Sequence, residues 1–129
     1  MTAIILLLAL QVKHLLVDFF MQRPYQYRNK GIWLHPGGIL HAAEHAVFSA
    51  FSLTLFVPQY VLLIGIIAVC EFIAHYLIDY SKVNICKNYS WSKTVDNRLE
   101  IYSDRYFHAL GVDQFLHQLT YLAMVAILI

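Results

Sequence analysis

The chain has 129 residues, 60% of them hydrophobic and 13% charged, with a formal net charge of +1 and a mean hydropathy of +0.58. Soluble domains carry about 25% charged residues, so this composition excludes a soluble globular domain and a disordered chain. The near-neutral charge excludes a nucleic-acid binder. The length suits one domain, or about four membrane crossings of about 20 residues each.

The hydropathy pattern predicts an all-α, polytopic membrane protein built as a single four-helix transmembrane bundle over residues 1–129. The first span runs over 2–22, ahead of Pro24, because the residue before a proline is biased away from helix. It is read as a span and not as a cleaved signal peptide. It lacks a basic n-region, and its apolar run continues into Gln11, Lys13, His14 and Asp18. Pro36, Gly37 and Gly38 lead into the second span, 39–57. Pro58 and Gln59 make a tight turn into the third, 60–80, so these two form an antiparallel hairpin. The fourth span covers 108–129.

Two polar connectors remain. Arg23 to Leu34 holds Arg23, Arg28 and Lys30 and no acid. Ser81 to Phe107 holds Lys82, Lys87, Lys93, Arg98 and Arg105 against Asp96, Glu100 and Asp104. The positive-inside rule puts both connectors in the cytoplasm and both termini outside, and a bacterial inner membrane is the expected location. Trp91, Val95, Leu99, Tyr102 and Tyr106 recur at helical spacing, which predicts a short amphipathic helix on the membrane surface. Cys70 and Cys86 are too isolated for a disulfide framework and are expected to be free.

The few charges lie in unexpected places. Five of the eight acids (Asp18, Glu44, Glu71, Asp79, Asp113) and five of the seven histidines fall inside the apolar stretches. A charge near the bilayer centre costs roughly 2.5–3.5 kcal/mol on insertion scales, so such groups persist when paired or functional. Each span carries two ligand-type residues four apart: His14 and Asp18, His41 and His45, His75 and Asp79, Asp113 and His117. On a helix, residues i and i+4 share a face. The pairs lie late in the first span, early in the second, late in the third and early in the fourth. In an up-down-up-down bundle all four pairs therefore share one end, the cytoplasmic one.

Eight imidazole and carboxylate groups at one depth predict a divalent metal site, zinc first, with manganese and iron also suited to these donors. Bundles build such sites from paired ligands on facing helices. Eight ligands exceed what one zinc needs, so one or two ions fit. Haem ligation by facing histidines is an alternative that leaves Asp18, Asp79 and Asp113 without a role. A proton or metal-ion path conflicts with the charge-free outer halves. Glu44, Asp18 and Asp113 are the carboxylates available as a catalytic base. Gln22, Lys30, Lys82 and Gln114 are available to hold an anionic substrate. Glu71 is one turn from His75, where it could orient that ring or bond to another helix. Lys13 is expected to snorkel to the interface or to face an acid. His35 and His108, at span boundaries, are read as interfacial.

The segments His14-Leu-Leu-Val-Asp18-Phe-Phe-Met-Gln22, Lys30, His41-Ala-Ala-Glu-His45, Ala74-His75-Tyr-Leu-Ile-Asp79-Tyr-Ser-Lys82 and Asp113-Gln114-Phe-Leu-His117 resemble a family of small bacterial and phage membrane proteins called DUF3307. The resemblance implies that these polar positions are that family's signature. The pattern is also distantly similar to membrane-bound metal-dependent hydrolases. By fold-level analogy, that second likeness implies a metal-activated water attacking an ester or phosphoester of a lipid or small molecule at the headgroup level. The expectation from another class is a non-enzymatic phage or bacterial membrane protein whose metal or polar network is structural and which binds a partner. A homo-oligomer is one way to complete so short a bundle.

Overall fold

A computed structural model describes residues 1–95 and 99–129. Helix α1 covers Thr2–Leu15 and runs directly into a wider π-helical segment, Leu16–Met21. The short α2 is Pro24–Tyr27 and α3 is Pro36–Phe56. A 3₁₀ turn, Pro58–Tyr60, leads into α4, Val61–Asn88. Strands β1 (Ser92–Val95) and β2 (Leu99–Tyr102) precede α5, Asp104–Leu128.

Proline chemistry sets three of these boundaries. Arg23 is extended (φ −92°, ψ 157°) ahead of Pro24, as a residue before proline should be. Pro36 and Pro58 occupy the first turns of their helices, where a missing N–H costs nothing. His35 caps α3, its Nδ1 accepting from the Gly37 N–H at 3.0 Å. Among the described residues three helical stretches, Thr2–Met21, Pro36–Phe56 and Pro58–Asn88, are long and apolar enough to cross a membrane. Helix α5 is of comparable length, but its first half carries Asp113, Gln114, His117 and Gln118.

Helices α1, α3, α4 and α5 close a ring in which each packs on two neighbours. Neighbours run antiparallel: Asp18 meets His45 while Gln22 meets His41. His14 meets both Gln114 and Tyr121 on α5, and the Gln11 amide donates to Gln118. One half of the ring is filled by an apolar core of Leu6, Leu10, Leu53, Val57, Ile64, Ile67, Tyr121, Met124, Val125 and Leu128. The other half is filled by polar side chains. Lipid tails are as apolar as leucine, so in a bilayer the first half adds packing and little hydrophobic drive. The polar half then carries much of what fixes the helices' mutual rotation.

Three expectations are corrected. The spans are longer than their apolar cores: α3 starts at Pro36, α4 continues to Asn88 and α5 starts at Asp104. The polar residues after Tyr80 mark a change of surroundings, and none of them breaks a helix. The amphipathic helix expected around Trp91 to Tyr106 is instead an antiparallel hairpin, with Ser92 opposite Tyr102 and Val95 opposite Leu99. Residues 96–98 of that stretch lie outside the described residues. Thr94, Val95, Ile101 and Tyr102 are β-branched or aromatic residues that favour strands, and at this short length they override the helical spacing.

The connector after α1 folds down onto α4. The Leu34 N–H donates to the Tyr76 hydroxyl at 2.7 Å, and the Asn84 amide donates to the Gly31 carbonyl at 3.2 Å. Trp33 stands edge-on to Tyr76 and Tyr80. Leu34 holds a left-handed φ of 53°, which costs about 1–3 kcal/mol and is offset by these contacts. At Gly31 a Cβ would sit 2.6 Å from Val83 Cγ1, so only glycine lets the connector approach this closely. That approach delivers the neighbouring Lys30 into the polar half.

Candidate metal centre

The four pairs predicted from spacing meet in one buried cluster. Asp18 is central: its Oδ1 lies 2.9 Å from His41 Nε2 and 3.3 Å from His45 Nε2, and its Oδ2 lies 3.1 Å from His14 Nε2. The π-helical segment makes this possible. Its wider i→i+5 turn aims both Asp18 and Gln22 at α3, and the Gln22 amide nitrogen sits 3.1 Å from His41 Nε2. Asp79 is the second centre, with His41 Nε2 at 3.5 Å, His75 Nε2 at 3.4 Å and His117 Nε2 at 3.8 Å. Asp113 Oδ1 lies 3.7 Å from His117 Nε2.

The five rings pack on one another. His45 stacks on His75 with centroids 3.7 Å apart, and His75 lies 4.2 Å from His117. So many touching imidazoles cannot all be cations. They must be neutral or ligating.

Six of the eight residues form two groups whose ligand atoms lie within 4.8 Å of one another: Asp18, His41, His45 and His75, and then His75, Asp79 and His117. A tetrahedral ion with bonds of about 2.0–2.1 Å separates its donors by about 3.3 Å, close to several of the distances above. Some of these separations are too long for hydrogen bonds. Both ring nitrogens of His75, His117 Nε2 and Asp113 Oδ1 are buried without a hydrogen-bond partner among the described residues. Buried polar atoms are ordinarily satisfied, and a cation is one thing that would satisfy this set. His14 and Asp113 fall outside both groups. His14 is already engaged, with Tyr121 Oη 2.8 Å from Nδ1 and Gln114 Oε1 3.0 Å from Nε2.

Four polar residues were expected beside the cluster. Lys30 reaches furthest in, its Nζ 2.8 Å from Asp79 Oδ2 and 4.0 Å from Asp18 Oδ1. Gln22 and Gln114 touch His41 and His14. Lys82 lies 3.4 Å from the Tyr106 hydroxyl. Glu44 lies apart from the cluster. Its Oε2 accepts from the fully buried Gln26 at 2.7 Å, which ties α2 to α3.

Sequence reasoning missed the layer behind the ligands. Lys13 is buried and ion-paired with Glu71 at 2.7 Å, the two side chains being 3% and 1% exposed. Its ammonium also lies 3.2 Å from His45 Nδ1 and 3.2 Å from the Tyr121 hydroxyl. Lys13 thus faces an acid, one of its two expected fates, and Glu71 bonds to another helix. Tyr121 and Gln26 were not singled out. For Tyr121 a signal existed: it lies one turn beyond His117 on the same face. Cys70 and Cys86 are both free, as expected.

A cavity of about 1220 Å³ opens above the cluster. Asp18, Asp79 and Asp113 line it along with Gln22 and Gln114, and so do Arg28, Lys30, Lys82, Lys87 and Lys93. The carboxylates of the cluster are therefore reachable from outside the bundle.

The sequence profile of one family, described as "Protein of unknown function (DUF3307)", matches residues 5–129. The chain belongs to that family. No curated protein and no solved structure gives a significant match.

Proposed function

We propose that this member of the family is a membrane-embedded, divalent-metal-dependent hydrolase, with zinc as the first candidate ion, acting on an ester or phosphoester at the cytoplasmic membrane face. The observation that carries the reading is the cluster itself: six imidazole and carboxylate ligands from four helices, buried nitrogens and an oxygen without partners, and an open cavity above. A structural metal site is normally closed, whereas a catalytic one keeps an open position.

Asp18, His41, His45 and His75 would hold one ion, and Asp79 and His117, with His75 between the groups, a second. Such an ion supplies Lewis acidity and an activated water near neutral pH. The protein's own residues do the rest. Asp113, with its Oδ1 unpartnered at the cavity wall, is best placed to take a proton. Lys30, Lys82, Gln22 and Gln114 would hold the substrate's oxygens. In this reading α5 is a fourth crossing, which puts both termini on the side away from the cavity.

The test is hydrolysis of a chromogenic phosphoester by purified protein, in EDTA and after zinc is restored. Activity should require the metal and fall about 10²–10⁴-fold in Asp113→Asn, the usual contribution of a general base. Equal rates with and without metal would sink the reading.

One observation favours a second reading. The Lys30 ammonium already stands between Asp18 and Asp79, so the cluster has an internal cation. A purely structural polar network would show this too, and it would bind no stoichiometric metal.

A further inference from the structure

The chain has nine Lys and Arg residues, and five of them line the single cavity above the cluster. Of these, Lys30 is committed to Asp79 and Asp18. Arg28, Lys82, Lys87 and Lys93 have no ion-pair partner among the described residues. Lys82 is nonetheless held in place, its Nζ 3.4 Å from the Tyr106 hydroxyl and 4.8 Å from that ring's centre. A topology signal requires only that cations lie near helix ends. It does not require them to converge on one concave wall facing three carboxylates. Convergent, unpaired cations around a hollow are what a phosphate group with several charged oxygens fits.

The cavity's position says which kind of phosphate. It is lined from α1, the connector, α4, the hairpin and α5, with no residue from α3. On its α1 and α5 sides it is edged by Phe19 and Leu110. Phe19 is 65% exposed on the outer surface of a helix apolar enough to sit in lipid. The polar interior and the lipid-facing surface therefore meet at this edge. A freely soluble anion would gain nothing from an apolar edge, whereas an amphiphile places its chains there.

We infer that the cavity binds the phosphate-bearing headgroup of an anionic lipid. The headgroup is held by Lys82, Lys87 and Arg28, and the acyl chains leave between α1 and α5 past Phe19 and Leu110. The assignment rests on the hydrolase reading for what the carboxylate floor does, but binding can be measured without turnover, so either can fail alone.

The experiment is native mass spectrometry of the full chain in detergent with EDTA, titrated with dioctanoyl phosphatidic acid, dioctanoyl phosphatidylcholine or glycerol 3-phosphate. The wild type should retain phosphatidic acid and discriminate against the other two. Two charge-assisted contacts removed together in Lys82→Gln/Lys87→Gln should weaken that binding by at least about tenfold. Arg23→Gln/Arg105→Gln removes the same charge outside the cavity and should bind as the wild type does, and Lys82→Arg should too. Equal retention of both lipids, or equal losses in the two double variants, would overturn the site. Glycerol 3-phosphate binding as tightly as phosphatidic acid would overturn the lipid and leave a soluble phosphate ester as the ligand. Lost hydrolysis with lipid binding intact would count against the hydrolase reading alone.

Discussion

Replacing Lys13 by Met removes the only cation that Glu71 touches among the described residues. The Nζ–Oε1 distance is 2.7 Å and both side chains are almost wholly buried. Glu71 Oε2 already has no partner, so the variant would leave a carboxylate buried with nothing to oppose it. The Coulomb attraction of such a pair is about 4 kcal/mol at 4 Å in an effective dielectric of 20. Removing one partner of a buried pair costs about 3–5 kcal/mol in practice. The ammonium also supports His45 Nδ1 and the Tyr121 hydroxyl, which places the expected loss towards the upper end. Replacing both partners by residues of similar volume is often close to neutral, so Lys13→Met with Glu71→Met should recover most of the loss. The assay is reversible unfolding in mixed micelles titrated with a denaturing detergent. The reasoning fails if Lys13→Met lies within about 1 kcal/mol of wild type, or if the double variant is no more stable than the single one.

The remaining predictions concern the site's supports. Gly31→Ala should push the connector off Val83, because the new Cβ would start 2.6 Å from Val83 Cγ1; a cost of about 1–3 kcal/mol and weaker phosphoester turnover are expected. Lys30→Met removes the cation that competes with a metal at Asp79 and Asp18, so competition with a zinc-binding dye should show tighter metal binding than in the wild type. Tyr121→Phe deletes the hydroxyl 2.8 Å from His14 Nδ1, and loss of such a support to a ligand cluster typically weakens metal binding about 10–100-fold. Metal and protons compete for the same imidazole nitrogens, so metal retained after dialysis should fall as the pH is lowered from about 7 to about 5, with no fall on raising it.

The candidate site was more legible in the sequence than the fold around it, and the reason is geometric. His41 and His45, or Asp113 and His117, are joined by one helical turn, so their shared face follows from spacing alone. Their common depth follows from alternating helix direction. What pairs across the bundle depends on helix rotation, which a single sequence does not display. Lys13 and Glu71 are 58 positions apart and look like two unrelated defects until α1 and α4 are placed. The π-helical turn that aims Asp18 at His41 has no composition signal of its own. Residues 91–106 misled because spacings of three and four also occur where two short strands fold back, as Val95 opposite Leu99 shows. The end of α4 misled because Lys82, Asn84 and Lys87 were taken to close a helix, whereas they leave the apolar layer and continue it.

The most direct measurement of the central claim is the metal content of the purified chain by elemental analysis, beside His41→Ala, His75→Ala and Asp79→Asn variants of checked fold. The account predicts one or two equivalents of a divalent transition metal in the wild type and a clear loss in each variant. No stoichiometric metal in the wild type, with the variants equally stable and equally active, would contradict it.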